Sequence, residues 1–328
     1  MFLMDSVCET ARMVREHQPR NAAPVLGIYA DLAERLVGTP RYLFDNNAIH
    51  TAVELTLGRP KVLLEALQHL RIPYPKLWVE WEETGRNKLR QKFIGEIGPN
   101  RPLPDRVGFL LDCDASGRKG HTVWAWSAMG DVIPNIAPFA PFFDFDARYT
   151  QPHERIDGLL NGNLAKIWDG HPVQQQAMLE IWQTADHRPE GPWAQSHLEE
   201  MYRRQGNIAI AYAMSDVYGE YIQMLACLLL LTSSRKIVEL APVDMSRLNR
   251  ARARQHKVPR LDHTVVSMYL DPAVQARQQR APLGYARKSP RVHLVSSYLG
   301  RRGDKHFVVQ PYTRGQGETV HRRVSVRG

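Results

Sequence analysis

Cysteine is scarce: Cys8, Cys113 and Cys227 are the only three in 328 residues. They are far apart and odd in number, so neither a disulfide framework nor a paired-cysteine zinc knuckle can be built from them, and a reducing cytoplasmic setting is expected. Long apolar runs are also missing. Met1 to Met4 lack a basic start and an extended apolar stretch before the charged Glu9 to Arg15 segment, which argues against an export signal. The most membrane-like stretch, Ile208 to Leu231, is interrupted by Ser215, Asp216, Glu220 and Gln223, so it reads as a buried helix and no membrane partner is expected. The glycine-rich dinucleotide and P-loop signatures do not occur, nor does the nucleophile-elbow pattern of hydrolases, and the 13 histidines form no HExxH or Cys/His zinc spacing. No cofactor and no metal site are expected from these signatures.

The charge, by contrast, is abundant and lopsided. Lys+Arg 43 against Asp+Glu 34 gives +9 for the chain. From Arg235 to Gly328 there are 20 basic and 6 acidic residues, whereas the first 234 residues hold 23 and 28. An acidic body followed by a basic tail predicts a polyanionic partner, of which nucleic acid is the commonest.

Apolar spacing organises the body. Leu26, Tyr29, Ala30, Ala33 and Leu36 recur at helical intervals, as do Val62, Leu63, Ala66, Leu67 and Leu70. Leu77, Val79 and Trp81 alternate with Trp78, Glu80 and Glu82, the pattern of a strand with one buried face. Arg106 to Cys113 and His121 to Met129 flank a turn-rich Asp114 to Gly120 and predict an antiparallel hairpin with Trp78 to Glu82 as its third strand. Pro134, Pro138 and Pro141 make Ile133 to Phe145 an irregular packed connection. Helices are expected over Ile156 to Trp168, Ala177 to Ala185, His197 to Arg204 and Val217 to Leu231. The expected fold is therefore α+β. A mostly helical body with a small antiparallel sheet spans 1–240, a basic linker with one possible strand at Thr264 to Leu270 spans 241–290, and a basic β-hairpin tail spans 291–328.

Three constellations carry candidate chemistry. In the tail, a two-residue turn at Gly303-Asp304 pairs Arg302 with Lys305 and His293 with Arg314. That register gathers His293, Arg301, His306, Tyr312 and Arg314 on one face, with Leu294, Tyr298, Phe307 and Val309 on the other. Arginine forks hold phosphate and imidazoles move protons near neutral pH, so His293, His306 and Arg314 are catalytic candidates for metal-free RNA cleavage; an exposed basic hairpin that only touches phosphate is the alternative. The second is the run Arg247 to Lys257. If helical, it lines up Arg247, Arg250 and Arg254 along one face, able to track a phosphate backbone, with Arg252 between them; otherwise it is a solvated linker. The third is the pair of Asp-x-Asp repeats, Asp112/Asp114 and Asp144/Asp146. Two carboxylates on one strand face can hold a divalent cation, but Asp before Ser116-Gly117 also opens a turn. The tryptophans at 78, 81, 124, 126, 168, 182 and 193 read as core rather than as base-stacking platforms.

The tail, through Arg291-Val-His293-Leu-Val295, Arg301-Arg302-Gly303 and Pro311-Tyr-Thr-Arg314-Gly315, resembles the C-terminal segment of uncharacterised phage and prophage proteins, chiefly from proteobacteria. The likeness covers about twenty-five residues, and the Leu70 to Trp81 passage is similar to such proteins as well. Ser296, Ser297 and Tyr298 stand where that group carries Arg-Gly-His, and Tyr312 replaces its closing His. The resemblance implies a mobile-element setting and brings no activity with it. The combined expectation is a cytoplasmic nucleic-acid-binding protein of phage or prophage type, contacting phosphates through Arg247, Arg250, Arg252, Arg254, Arg291, Arg301, Arg302 and Tyr312. A metal-independent nuclease and a phage structural or assembly protein are the alternatives, with self-association left open.

Overall fold

The computed structural model describes residues 2–17, 24–84, 86, 104–128, 131, 133–149, 171–189, 191–234, 237–268, 292–295, 298–302, 305–309 and 312–315. Helices α1 (Leu3–His17) and α2 (Pro24–Leu36) lead into the four-residue strand β1 (Arg41–Phe44), helix α3 (Asn46–Val53), a π-helical turn at Glu54–Gly58 and helix α4 (Pro60–Leu67). Strands β2 (Lys76–Glu82), β3 (Pro104–Cys113), β4 (Lys119–Ala128), β5 (Asn135–Ile136) and β6 (Phe139–Asp144) follow. Helix α5 (Pro172–Trp182), strand β7 (Ala185–Pro189), helices α6 (Gly191–Gln205) and α7 (Asn207–Leu231), strand β8 (Val238–Val243), helix α8 (Ser246–Ala253) and strand β9 (His263–Met268) complete the body. Strands β10 (Val292–Val295), β11 (Tyr298–Arg302), β12 (Lys305–Val309) and β13 (Tyr312–Gly315) follow it.

The small antiparallel sheet expected for a mostly helical body is wrong. One nine-stranded sheet runs β7-β6-β4-β3-β2-β1-β9-β8, with β5 added against β4, and it is mixed: β1 lies parallel to both β2 and β9 while every other pair is antiparallel. The antiparallel hairpin β3-β4 is present as expected, with β2 as its antiparallel neighbour. The strands that sequence reading passed over are short or carry proline. Pro141 sits in β6 just beyond the last residue paired with β4, Phe142, and Pro242 lies in β8 at the sheet edge, two places where a missing N–H costs little. The segment read as basic linker supplies β8 from Ala241 onward, α8 and β9, and β9 is the predicted island, seated beside β1. The expected helix over Ile156 to Trp168 lies outside the described residues.

Both faces of β2 are covered, not one. Leu77, Val79 and Trp81 join the larger core with α3, α4, α5 and α7, whereas Trp78 joins Leu3, Met4 and Val7 of α1 and Leu32 and Leu36 of α2. Alternation therefore marks two different apolar layers. Across the larger-core face, Trp81, Phe109, Trp124 and Trp126 form a continuous ring ladder with centroids 5.9, 6.3 and 6.4 Å apart, so these indoles serve packing. On the other face a Cβ at Gly108 would lie 2.3 Å from the Trp78 ring; only glycine leaves room for that indole. Helix α7 is buried throughout Glu220 to Leu231, and no helix among the described residues is long and apolar enough to cross a membrane.

Two buried carboxylates tie the layers together. Glu80, on β2, accepts hydrogen bonds from the Leu3 and Met4 amides at 2.7 and 3.1 Å, from Trp78 Nε1 at 3.0 Å and from Arg106 Nη1 at 2.8 Å. It caps the positive end of α1 from inside the sheet. Glu83 accepts from Trp81 Nε1 and from Arg86, whose guanidinium also meets Glu220 of α7 and the Gly219 carbonyl. The opposed charges of Glu220 and Glu83 hold the buried Arg86 above the ordinary guanidinium range, against desolvation. Replacing Glu80 with Ala leaves two amides, an indole N–H and a guanidinium without their acceptor; a loss of about 3 to 5 kcal/mol is expected in urea unfolding. An unchanged midpoint would show that the α1 cap does not need this carboxylate.

Candidate nucleic-acid interface

Helix α8 is a short, arginine-rich helix held on the body by one of its flanks. Asp244 starts it, accepting from the Ser246 amide at 2.8 Å and the Ser246 hydroxyl at 2.7 Å; these bonds keep its carboxyl below the usual range. His256 ends it in the left-handed region at φ 53°, where its amide donates to Ala253 O and the Lys257 amide to Arg252 O. This pairing satisfies the last carbonyls of the helix. The returning chain is clamped by Asn249, whose Oδ1 accepts from the Arg260 amide at 2.6 Å and whose Nδ2 donates to the Arg260 carbonyl at 2.8 Å.

Arginines in this region divide into two sets. Arg252 donates to Glu9 of α1 at 2.9 Å and to the Val258 carbonyl at 2.7 Å, and Arg260 bridges to Asp5 at 3.2 Å. These two dock the unit onto α1. Burial pushes the Asp5 carboxyl above its ordinary value, while the bond from the Leu261 amide and the Arg260 charge oppose the shift. Arg247, Arg250 and Arg254, together with Lys257, are exposed. At helical angles the three arginines share the side away from Arg252, as the spacing predicts. The acidic neighbours Asp244 and Asp262 are already engaged with backbone amides.

In the tail, β10 pairs with β13 and β11 with β12, both antiparallel and in the register of a two-residue turn. His293 stands opposite Arg314, Val295 opposite Tyr312, Arg301 opposite His306 and Arg302 opposite Lys305. The backbone thus brings each candidate histidine beside an arginine. Arg291 lies outside the described residues.

The aspartate repeats have other partners. Asp114 accepts from the Ser116 amide and hydroxyl at 3.1 and 2.7 Å, as in a turn, while Asp112 faces Arg35 at 3.7 Å and Lys76 at 3.6 Å. Asp144 pairs with Lys119 at 2.9 Å, and both carboxylate oxygens of Asp146 meet Arg118. Among the described residues no group of three or more His, Cys, Asp or Glu side chains is placed to hold a metal ion. Sequence reading missed a shallow cleft of about 250 Å³ beside α8, lined by Phe2, Asp5, Arg106, Met245, Leu248 and Arg260. Leu248, the single large apolar residue in the arginine run, was its one visible signal.

The architecture is a mixed β-sheet between two helical layers, one holding α1 and α2 and the other α3, α4, α5 and α7. Compared with known proteins, the chain matches no family profile and no curated protein. Among solved structures it is similar to one described as "Crystal structure of AcrVA2", at 11% identity and a TM-score of 0.31, over 95% of this chain and 92% of that one. At that level neither fold nor activity transfers.

One histidine here gives a pH signature. His121 on β4 sits 3.3 Å from Arg35 Nη2, and burial, then the Arg35 charge, holds its imidazole below the ordinary value despite Asp112. The unfolded chain therefore binds a proton that the folded chain refuses. Its share of stability is complete above the ordinary imidazole pKa of about 6.5 and is lost as pH falls below it. Unfolding midpoints from pH 7 down to about 5 should decline less steeply for His121→Gln than for the unsubstituted protein; parallel slopes would exclude this linkage.

Proposed function

We propose that this protein binds nucleic acid through its phosphate backbone, with α8 as the primary contact and the basic tail strands as an extension. The observation that carries the reading is the division of labour among the arginines. Arg252 and Arg260 are consumed in docking, whereas Arg247 and Arg250 on α8, and Arg254 and Lys257 just beyond its last residue, are exposed on a unit fixed at both ends. A fixed cationic face loses less freedom on meeting a row of phosphates than a solvated linker would. Arg291, Arg301, Arg302, Arg314 and Tyr312 add a second basic stretch, and the tail's resemblance to phage and prophage proteins supports a mobile-element setting. Changing Arg247, Arg250 and Arg254 together to Ala should weaken binding and reduce the magnitude of the slope of log K against log salt by about 2. Binding with an unchanged slope would remove α8 from the interface.

A second reading draws on the tail register. The pairs His293/Arg314 and Arg301/His306 belong to two separate two-stranded sheets; this reading requires both to meet one phosphate, one imidazole taking the 2′-hydroxyl proton as that oxygen attacks phosphorus and the other protonating the departing 5′-oxygen. The arginines would steady the phosphorane charge. This nuclease reading expects RNA cleavage that persists in EDTA and falls at least a hundredfold in His306→Ala, in line with the usual contribution of a general acid or base of about 10² or more. Intact RNA after prolonged incubation would leave the tail with phosphate contact only.

A further inference from the structure

We propose that the cleft between the start of α1 and α8 receives an unstacked base of a single strand whose phosphates run along Arg247, Arg250 and Arg254; this rests on the nucleic-acid reading above and gives it a strand preference. The cleft lies on the flank of α8 that also carries Arg252, with Leu248 about 100° round the helix from Arg247, so a strand passing Arg247 turns its base round the helix to reach it. The cleft and the arginine face differ in chemistry. On the arginine face the positive charge is in excess, which suits phosphate. Inside the cleft it is balanced: Arg106 is bonded to Glu80 and faces Glu82 at 3.7 Å, and Arg260 is paired with Asp5, so a second phosphate gains nothing there.

What the cleft does offer is a lining of both kinds. Phe2, Met245 and Leu248 supply apolar lining, and Asp5, Arg106 and Arg260 supply polar lining. Leu248 is 46% exposed, on a helix whose other residues are Ser, Arg, Asn and Ala. An isolated leucine among arginines gains by being covered, and a base carried on a phosphate chain is a flat apolar surface delivered by the charge beside it. A cleft of about 250 Å³ is below the size of most pockets for drug-sized molecules, at roughly 300 Å³ and above, and suits a fragment such as one base. In a duplex the bases remain stacked and paired, and only a single strand can turn one into the cleft without that cost.

The test is fluorescence-anisotropy binding of the full chain to three labelled probes over a salt series: an oligothymidylate, an abasic oligomer of equal length and charge, and a duplex. The oligothymidylate should bind about tenfold or more tightly than the abasic strand, matching the usual contribution of one stacked base. Leu248→Ala, at an exposed position, should remove that advantage while leaving the abasic affinity and the salt slope unchanged. Equal affinity for the thymidylate and abasic strands, or an advantage that survives Leu248→Ala, overturns the cleft proposal and leaves backbone binding intact. Absence of salt-dependent binding to all three probes overturns the nucleic-acid reading, and the cleft proposal with it.

Discussion

Glu80 is the point from which the layers of this fold are set. It sits in the middle of β2 with no exposed surface, and a carboxylate so placed needs several donors to be tolerated. The donors come from three directions: the first amides of α1, the indole of Trp78 on its own strand, and Arg106 on β3. Satisfying this one group therefore fixes where α1 begins and which face of the sheet it covers. With α1 in place, Trp78 is sealed against Gly108 and the smaller apolar layer closes over Leu110, Val123 and Ala125.

The same helix then becomes the platform for the candidate interface. Asp5 and Glu9 lie on successive turns of α1 and receive Arg260 and Arg252 from the α8 unit. The Glu9 bridges are partly buried and the Asp5 carboxylate is buried, and all of them share their geometry with the Asn249 clamp and the helix-ending turn at His256. Acidic residues of the body are thus paired with Arg252 and Arg260, while Arg247, Arg250, Arg254 and Lys257 are exposed. The charge asymmetry of the chain is partly a docking device and partly a surface.

Residue spacing revealed much of the local structure. The spacing in α2, α4 and α7, the β3-β4 hairpin with its Asp114 turn, and the pairing register of the tail strands all follow from neighbours close in sequence. Alternation in Leu77 to Glu82 was also readable as a strand, but it suggested one buried face because Glu80 looks like a solvent residue until its donors from α1 and β3 are known. Strands β1, β6, β7 and β8 were hidden for a related reason. They are short or contain proline, and their hydrogen-bond partners lie far along the chain. At the site, Arg247, Arg250 and Arg254 were legible as one helical face, whereas Arg252 could not be separated from them, because its partner Glu9 is 243 positions away.

By itself, then, the sequence determined the periodic elements, the turns between adjacent strands and the net charge of each region, all properties of short stretches of chain. Tertiary structure alone decided that one mixed sheet would gather nine strands, that a buried glutamate would be stable, and which arginines would be spent on docking. Those outcomes depend on contacts between residues far apart in the chain, and such contacts exist only once the layers have closed and excluded water from between them.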